Sequence, residues 1–203
     1  MAIGSPDPER KPSVHNPPSH LAVIVGSTRE GRLGSTVARW FVEQCEPRAD
    51  LTLDLIELAD LQLPPVLAAQ RDAAVSAYAQ RIDRADAIVV VTPEYNHGYP
   101  APLKQAIDLL HHEWWAKPVG FVSYGGMSGG LRAVEQLRPV FAEVHAVTIR
   151  NTVSFHDAWH RFHASGEPVE PDGCNAAAKL MIDQLVWWAT ALHAARTSQP
   201  YAA

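Results

Sequence analysis

The chain has 203 residues, which is the size of one ordinary domain and leaves little room for a second core. It carries 17 Lys and Arg against 22 Asp and Glu, a formal net charge of -5, and its basic residues form no cluster. This charge pattern argues against nucleic-acid binding and against a polybasic membrane patch. No segment approaches the roughly 20 consecutive apolar residues of a membrane helix. The sequence therefore predicts one domain whose partners are small molecules or further copies of the chain.

The two cysteines, Cys45 and Cys174, lie far apart and outside any CxxC spacing. Isolated thiols are typical of a reducing compartment, so we expect a cytoplasmic protein without a disulfide framework. Residues 1–20 are rich in Pro, Ser and charge and lack the apolar core of a secretory signal. We expect them to form a disordered or loosely attached arm, followed by a domain at 21–196 and a tail at 197–203.

From residue 21 onward, short apolar runs alternate with longer helical patterns. The predicted strands cover residues 21–25, 51–58, 87–92, 119–123 and 146–150. The predicted helices cover residues 35–44, 73–85, 102–110, 130–140 and 175–195. The second strand alternates apolar and polar residues, which is typical of an edge strand covered on one face. Five β/α units of this kind predict an α/β fold, with a parallel sheet, right-handed crossovers and helices on both faces.

Ligands of such sheets bind beyond the carboxyl ends of the strands, where three distinctive loops fall. The first loop, residues 26–36, reads GSTREGRLGST and leads into a helix N-terminus. Its hydroxyls, its Arg fork and the free helical N–H groups favour a phosphate. It is not a P-loop, because Arg32 and Leu33 replace Lys-Ser/Thr, and it is not GxGxxG, because Thr28 replaces the second Gly. The alternative is a plain turn in which Ser35 caps the helix.

The second loop, residues 93–100, reads PEYNHGYP and joins the third strand to the third helix. A proline stiffens each end, and Gly98 permits a positive φ angle or a close approach. The rings and the amide of Tyr95, Asn96 and Tyr99 can face a planar heterocycle. The alternative is a rigid connection whose tyrosines only pack.

The third loop, residues 124–130, reads YGGMSGG and follows the fourth strand. Four glycines in six residues carry a conformational cost, so we expect the backbone to approach a ligand closely. The alternative is a flexible surface turn. A phosphate site beside two surfaces for a flat ring is the arrangement that a mononucleotide with an extended aromatic base requires.

Together the three motifs resemble the NAD(P)H-dependent FMN reductases of the flavodoxin-like superfamily. The resemblance covers about residues 21–195 and rests on Gly26-Ser-Thr-Arg with Ser35, on Pro93-Glu-Tyr-Asn96 with Gly98-Tyr-Pro100 and Lys104, and on the Gly-rich loop. It implies a flavodoxin-like three-layer sandwich, in which a five-stranded parallel sheet of order 2-1-3-4-5 has helices on both faces.

The resemblance also implies the roles of individual residues. The FMN phosphate would be held by Ser27, Arg29, Gly34, Ser35 and Thr36. The isoalloxazine ring would be lined by Pro93, Glu94, Tyr95 and Asn96, and its pyrimidine side would be covered by Gly125, Gly126, Ser128 and Gly129. It implies no catalytic side chain and no metal, because the flavin N5 atom carries the hydride.

The implied reaction is a ping-pong transfer of a hydride from NADPH or NADH to FMN and on to a small-molecule acceptor. Acceptors of the family type are flavins, quinones and azo compounds, and the implied assembly is a homodimer or homotetramer. The alternatives are an FMN-containing quinone or azo reductase and a non-enzymatic flavodoxin-like electron carrier. A carrier usually docks through a strongly acidic face, so the modest net charge favours the enzyme.

Three further features have ordinary explanations. On a helix, His156, His160 and His163 would share one face and could bind a metal, but the nearby Gly and Pro favour a solvated loop. Trp114 and Trp115 are expected to pack in the core or at an interface rather than to cover a flavin in a neighbouring subunit. In the last helix, packing on the sheet is predicted for Leu180, Leu185, Val186, Trp187, Trp188 and Leu192.

Overall fold

The computed structural model describes residues 18–68 and 70–202. Its strands are β1 (Ser19–Val25), β2 (Leu51–Glu57), β3 (Ala87–Pro93), β4 (Pro118–Tyr124) and β5 (Val147–Phe155). Its helices are α1 (Gly34–Cys45), α2 (Ala73–Arg84), α3 (Ala101–Asp108), α4 (Leu131–Glu143) and α5 (Pro171–Ser198). All strand pairs are parallel, in the order β2-β1-β3-β4-β5. The predicted flavodoxin-like fold is confirmed.

The sheet separates two hydrophobic cores. Alternate residues of β1 enter opposite cores, as a pleated strand covered on both faces requires: Val23 enters one and Ile24 the other. The first core receives α1 and α5, and the second receives α2, α3 and α4. Two of the three inner strands, β3 and β4, are buried at every position, which explains their continuous apolar runs.

The last strand is longer than the sequence predicts. The sequence pattern ends it at Arg150, but β5 continues to Phe155. A register shift against β4 makes this possible, because Val119 pairs with Thr148 whereas Phe121 pairs with Thr152. The register shift lets the strand continue through the polar residues that follow Arg150, and it brings the end of β5 beside the glycine-rich loop.

Some predicted boundaries also differ at the termini of the fold. Strand β1 begins at Ser19, inside the segment predicted to be the arm, and residues 1–17 of that arm lie outside the described residues. Helix α5 begins at Pro171, because proline suits the first turn of a helix, and it runs to Ser198, into the predicted tail.

For two residues of α5 the prediction of packing on the sheet is wrong. The side of the helix that faces the sheet presents Ala178, Met181, Ile182, Leu185 and Ala189. Leu180 and Trp187 are spaced seven residues apart on a different side and are 61% and 64% exposed. Within the described part of the chain, no helix combines the length and apolar character needed to cross a bilayer.

Candidate functional site

The three loops meet at one edge of the sheet. They follow β1, β3 and β4, which are neighbours in the sheet, so their starting points lie side by side. Backbone hydrogen bonds extend the ladder into them: Gly26 donates to the Val91 carbonyl at 2.9 Å, and Glu94 donates to the Tyr124 carbonyl at 3.2 Å. The three loops that contain the predicted site residues are therefore anchored side by side on the hydrogen-bonded sheet.

Ser27 and Tyr95 join the first loop to the second. The Ser27 side chain is fully buried, and its Oγ lies 2.6 Å from the Tyr95 hydroxyl. The Arg29 guanidinium carbon lies 3.7 Å from the centre of the Tyr95 ring, within cation–π distance. Because Arg29 is otherwise exposed, this contact holds a cationic fork at the mouth of the site.

Helix α1 starts without a side-chain cap. It begins at Gly34 with Leu33 at the N-cap position, and no side-chain hydrogen bond closes its first turn. The alternative in which Ser35 caps the helix is therefore wrong. The half-buried hydroxyls of Ser35 and Thr36 lie in this turn, beside N–H groups that α-helical bonding leaves free. Such a turn suits an anion.

Gly34 is required by a close approach. A Cβ atom at this position would lie 2.7 Å from the Tyr124 hydroxyl oxygen and 3.0 Å from a Val25 methyl carbon. The Tyr124 hydroxyl is buried and makes no hydrogen bond of good geometry with a described residue, although the Ser27 hydroxyl lies near enough to interact with it. Burial also raises its pKa, so it stays protonated as a donor. The sequence motifs give Tyr124 no role of its own, and its position immediately before the glycines is the signal that could have found it.

The second loop is a two-residue hairpin. Tyr95 and Gly98 exchange backbone hydrogen bonds of 2.8 and 3.1 Å. The two residues between them, Asn96 and His97, have φ angles of 50° and 72°, a combination for which asparagine is favoured. The sequence predicts either a positive φ angle or a close approach at Gly98. The structure shows a close approach, because a Cβ at this position would lie 3.1 Å from the Gln136 Oε1 atom.

Glu94 joins the second loop to the third. Its carboxylate accepts a hydrogen bond from the Ser128 hydroxyl, and it accepts from the Arg132 backbone at 3.3 Å and the Arg132 guanidinium at 3.1 Å. Burial acts to raise the pKa of Glu94, but these hydrogen bonds and the Arg132 charge outweigh it, and the net pKa is lowered. The side chains of Glu94 and Ser128 therefore fix the two loops against each other.

The glycine-rich loop is closely packed. Gly129 and Gly130 have φ angles of 60° and 84°, and a Cβ at Gly130 would lie 2.7 Å from the Ser123 Cβ. The Gly129 carbonyl accepts hydrogen bonds of 2.8 Å from the hydroxyls of both Ser123 and Ser154. These contacts favour a fixed backbone over the alternative of a flexible turn.

A fourth segment, residues 156–160, completes the edge. The N–H groups of Asp157 and Ala158 donate to the carbonyls of Gly126 and Gly125, both at 3.0 Å. The segment ends in a single 3₁₀ turn, Ala158–His160, rather than the continuous helix that a three-histidine site would need. Among the described residues no group of three or more His, Cys, Asp or Glu side chains is placed to hold a metal ion.

The residues at this edge fit a flavin mononucleotide. The uncapped start of α1, with Arg29 nearby, supplies the donors that a phosphate requires. At Gly34, Gly129 and Gly130 a Cβ would meet other protein atoms within 3.0 Å, so close packing fixes the backbone that would border a flat ring. The buried Tyr124 hydroxyl adds a donor between these two parts.

A separate cleft of about 750 Å³ lies at the opposite edge of the sheet, around Asp86, Lys117 and His193. Several of its charged groups have partners: Asp86 binds His193 at 2.6 Å, and the Lys117 ammonium donates to two carbonyl oxygens at 2.7 Å. We assign this cleft no part in the candidate site, because none of the three loops lines it.

The fold and its loops define a flavodoxin-like protein of the flavin-binding class. A family model described as NADPH-dependent FMN reductase matches residues 19–160. The chain therefore belongs to this family. Membership confirms the resemblance found in the three loop motifs, the class of flavin oxidoreductases, and FMN with NAD(P)H as the cofactors of that class.

Relatives with assigned activities match over part of their length. An NAD(P)H-dependent FMN reductase of Schizosaccharomyces pombe is 39% identical over an aligned length of 119, and the alignment covers 54% of this chain and 60% of the relative. A second, from Saccharomyces cerevisiae, is 36% identical over an aligned length of 138, with 59% of this chain and 72% of the relative covered. A quinone reductase of Escherichia coli is 33% identical over an aligned length of 137, with 64% of this chain and 72% of the relative covered. The match thus spans less than two thirds of the first of these proteins.

Solved structures share the fold. A flavoenzyme NAD(P)H:(acceptor) oxidoreductase from Paracoccus denitrificans superposes with a TM-score of 0.69 and 25% identity, covering 85% of this chain and 98% of the other. An NADH:FMN oxidoreductase superposes with a TM-score of 0.66 and 19% identity, covering 80% of this chain and 88% of the other. The second likeness supports the fold alone.

Proposed function

We propose that this protein is an NAD(P)H-dependent FMN reductase that works by a ping-pong mechanism on a small-molecule acceptor. The observation that carries the proposal is the connected edge of three loops, held by the Ser27–Tyr95 and Glu94–Ser128 contacts. Family membership supports the same conclusion. FMN, when bound, supplies the hydride chemistry, and the chain binds and orients it.

Each group of residues has a distinct task in this proposal. The phosphate is held by Ser27, Arg29, Gly34, Ser35 and Thr36. The ring is lined by Pro93, Glu94, Tyr95 and Asn96 and is covered by Gly125, Gly126, Ser128 and Gly129. Glu94 and Ser128 would act as positioning residues, because the hydrogen bond between their side chains holds the second and third loops together. No side-chain nucleophile is needed, because the flavin carries the hydride.

Two wider features belong to the same proposal. Residues 28–31 of the first loop are all exposed, so a second subunit of a homodimer or homotetramer would help to enclose the site. Both cysteines are free, which supports a cytoplasmic location. Light scattering on the purified protein gives the number of subunits.

The decisive experiment is anaerobic mixing of FMN-loaded protein with NADPH and with NADH. With one equivalent of nicotinamide nucleotide, an enzyme loses the visible absorbance of the oxidised flavin within the mixing experiment and regains it when a quinone is added as acceptor. A flavodoxin-like carrier stays yellow with both nucleotides. That result would refute the proposal.

A quinone is the second candidate acceptor. The matched quinone reductase of Escherichia coli and the exposed aromatic surface beside the site both favour it. Comparison of kcat/KM for free FMN and for a quinone, each with saturating NADPH, separates the two functions.

A further inference from the structure

An unusually exposed pair of large apolar side chains borders the candidate site. Met127 is 85% exposed and Trp159 is 69% exposed. A Cβ at Gly126 would lie 3.6 and 3.9 Å from two atoms of the Trp159 indole, so the indole rests on the backbone of the glycine-rich loop. We call Gly126, Met127, His156 and Trp159 the acceptor platform.

The platform is rigidly supported. The His156 Nδ1 atom lies 2.9 Å from the Met127 carbonyl oxygen, and the Asp157 N–H donates to the Gly126 carbonyl at 3.0 Å. Ala158, immediately before the tryptophan, is 1% exposed. These contacts fix the backbone immediately before an exposed indole, which is the property expected of a binding surface rather than of a mobile loop.

The position of the platform points to the function of the indole. Gly125 and Gly126 are the residues proposed to cover the ring, and Trp159 continues that surface outward into solvent. Tryptophan presents a large flat face with little conformational entropy, and the methionine thioether adapts to aromatic partners. The four platform residues include no Asp, Glu, Lys or Arg, and the nearby Arg161 guanidinium pairs with the Glu170 carboxylate.

We propose that Trp159, flanked by Met127, stacks a neutral planar acceptor of the quinone type beside the ring site and so determines acceptor preference. This inference rests on the proposed function and adds the residue that chooses the substrate. In this inference the platform only binds the acceptor, and the electron transfer is the one already described for the proposed reaction.

The test compares Trp159→Ala and Trp159→Phe with Trp187→Ala in the FMN-loaded protein. Trp187 is a matched control, because it is 64% exposed but lies on α5 outside the three loops. Calorimetric titration of menadione into the oxidised protein measures binding without turnover. We expect Trp159→Ala to weaken this binding about tenfold, since a lost aromatic stack accounts for roughly one decade in the dissociation constant. Trp159→Phe should restore most of the affinity.

Steady-state kinetics give the second measurement. The ratio of kcat/KM for menadione to that for ferricyanide, which has no aromatic plane, should fall about tenfold in Trp159→Ala, mainly through the KM for menadione. Trp187→Ala should keep the wild-type ratio. Equal ratios and equal menadione affinities in the two alanine variants would overturn the proposal. So would a change of subunit number confined to Trp159→Ala, which would mean that a second copy covers the indole.

These outcomes are separable from failure of the proposed function. If NADPH does not reduce the flavin of the wild-type protein, the proposed function is refuted and this inference falls with it. If the flavin is reduced normally and the Trp159 variants behave like the control, the function stands and only the role of Trp159 is refuted.

Discussion

The close approach between Gly34 and Tyr124 gives a sharp test of how the site is built. In Gly34→Ala, the new Cβ would meet the Tyr124 hydroxyl oxygen at 2.7 Å and a Val25 methyl at 3.0 Å. Both neighbours are buried, so overpacking should cost about 1–3 kcal/mol. Alanine recovers up to about 1 kcal/mol through helix propensity. We expect a net loss of about 1–2 kcal/mol in the free energy of unfolding, or about 2–8 °C in Tm.

Removal of the hydroxyl should relieve most of this loss. In Tyr124→Phe the nearest remaining atom of the residue-124 ring is Cζ, which lies 3.7 Å from the position that the new methyl would take, an ordinary contact distance. The substitution also deletes a buried hydroxyl that makes no hydrogen bond of good geometry with a described residue, so by itself it should be neutral or mildly stabilising. In the Tyr124→Phe background, Gly34→Ala should cost about 0.5 kcal/mol or less, once the Val25 methyl shifts slightly.

Urea denaturation of the four proteins of this double-mutant cycle measures the coupling. Flavin is omitted, because ligand binding would change the apparent stability by mass action. Gly173→Ala, in the first turn of α5, is the matched control, since its Cβ would have nothing within 4 Å. It should stabilise the protein by about 0.4–1 kcal/mol. If Gly34→Ala is equally destabilising with Tyr and with Phe at position 124, steric conflict with the hydroxyl is not the reason for this glycine.

Three further predictions follow from the charged groups. Arg29→Ala should weaken FMN binding by about 1.5–3 kcal/mol, the contribution of a charged hydrogen bond, in a fluorescence titration; an unchanged affinity would remove Arg29 from the site. Glu94→Gln should lower the free energy of unfolding by about 1–2 kcal/mol at pH 7, and the difference from wild type should shrink at pH 4, because a carboxylate with a lowered folded pKa loses its contribution as the pH falls. Burial lowers the pKa of Lys117 to about 8 from 10.5. Between these two pH values the unfolded state binds more protons than the folded state, so the free energy of unfolding rises with pH. From pH 7.5 to 10.5 it should rise by about 3 kcal/mol more in wild type than in Lys117→Met. The comparison with the variant is needed because burial also raises the pKa of Cys45 to about 12, which lowers the stability of both proteins as the pH rises. Parallel curves of unfolding free energy against pH for wild type and Lys117→Met would contradict the Lys117 prediction.

Most of the fold could be predicted because it depends on local patterns. Continuous apolar runs mark β3 and β4, which are covered on both faces, and alternation marks the edge strand β2. The errors arise where tertiary contacts override the local pattern. The polar residues after Arg150 indicate the end of a strand, but the ladder with β4 extends β5 to Phe155. Leu180 and Trp187 are apolar by composition, but the sheet covers only one side of α5.

The candidate site shows the same division. Sequence motifs identified the three loops, and strand order brought them to one edge. The sequence did not reveal that Glu94 bonds Ser128 or that the positive φ angles fall on Asn96 and His97. Nor did it single out Tyr124 or Trp159, because their importance comes from neighbours far away in the chain.

The amino-acid sequence by itself predicted the alternating strands and helices through its periodicities, and the class of protein through the resemblance of its three loop motifs. These are properties of short segments, in which each residue acts through its own backbone preference or functional group. Only the tertiary structure decided which side chains hold the loops together and which remain free for a ligand. Distances such as that between Gly34 and the Tyr124 hydroxyl arise when strands distant in sequence pair and pack, and no local pattern encodes them.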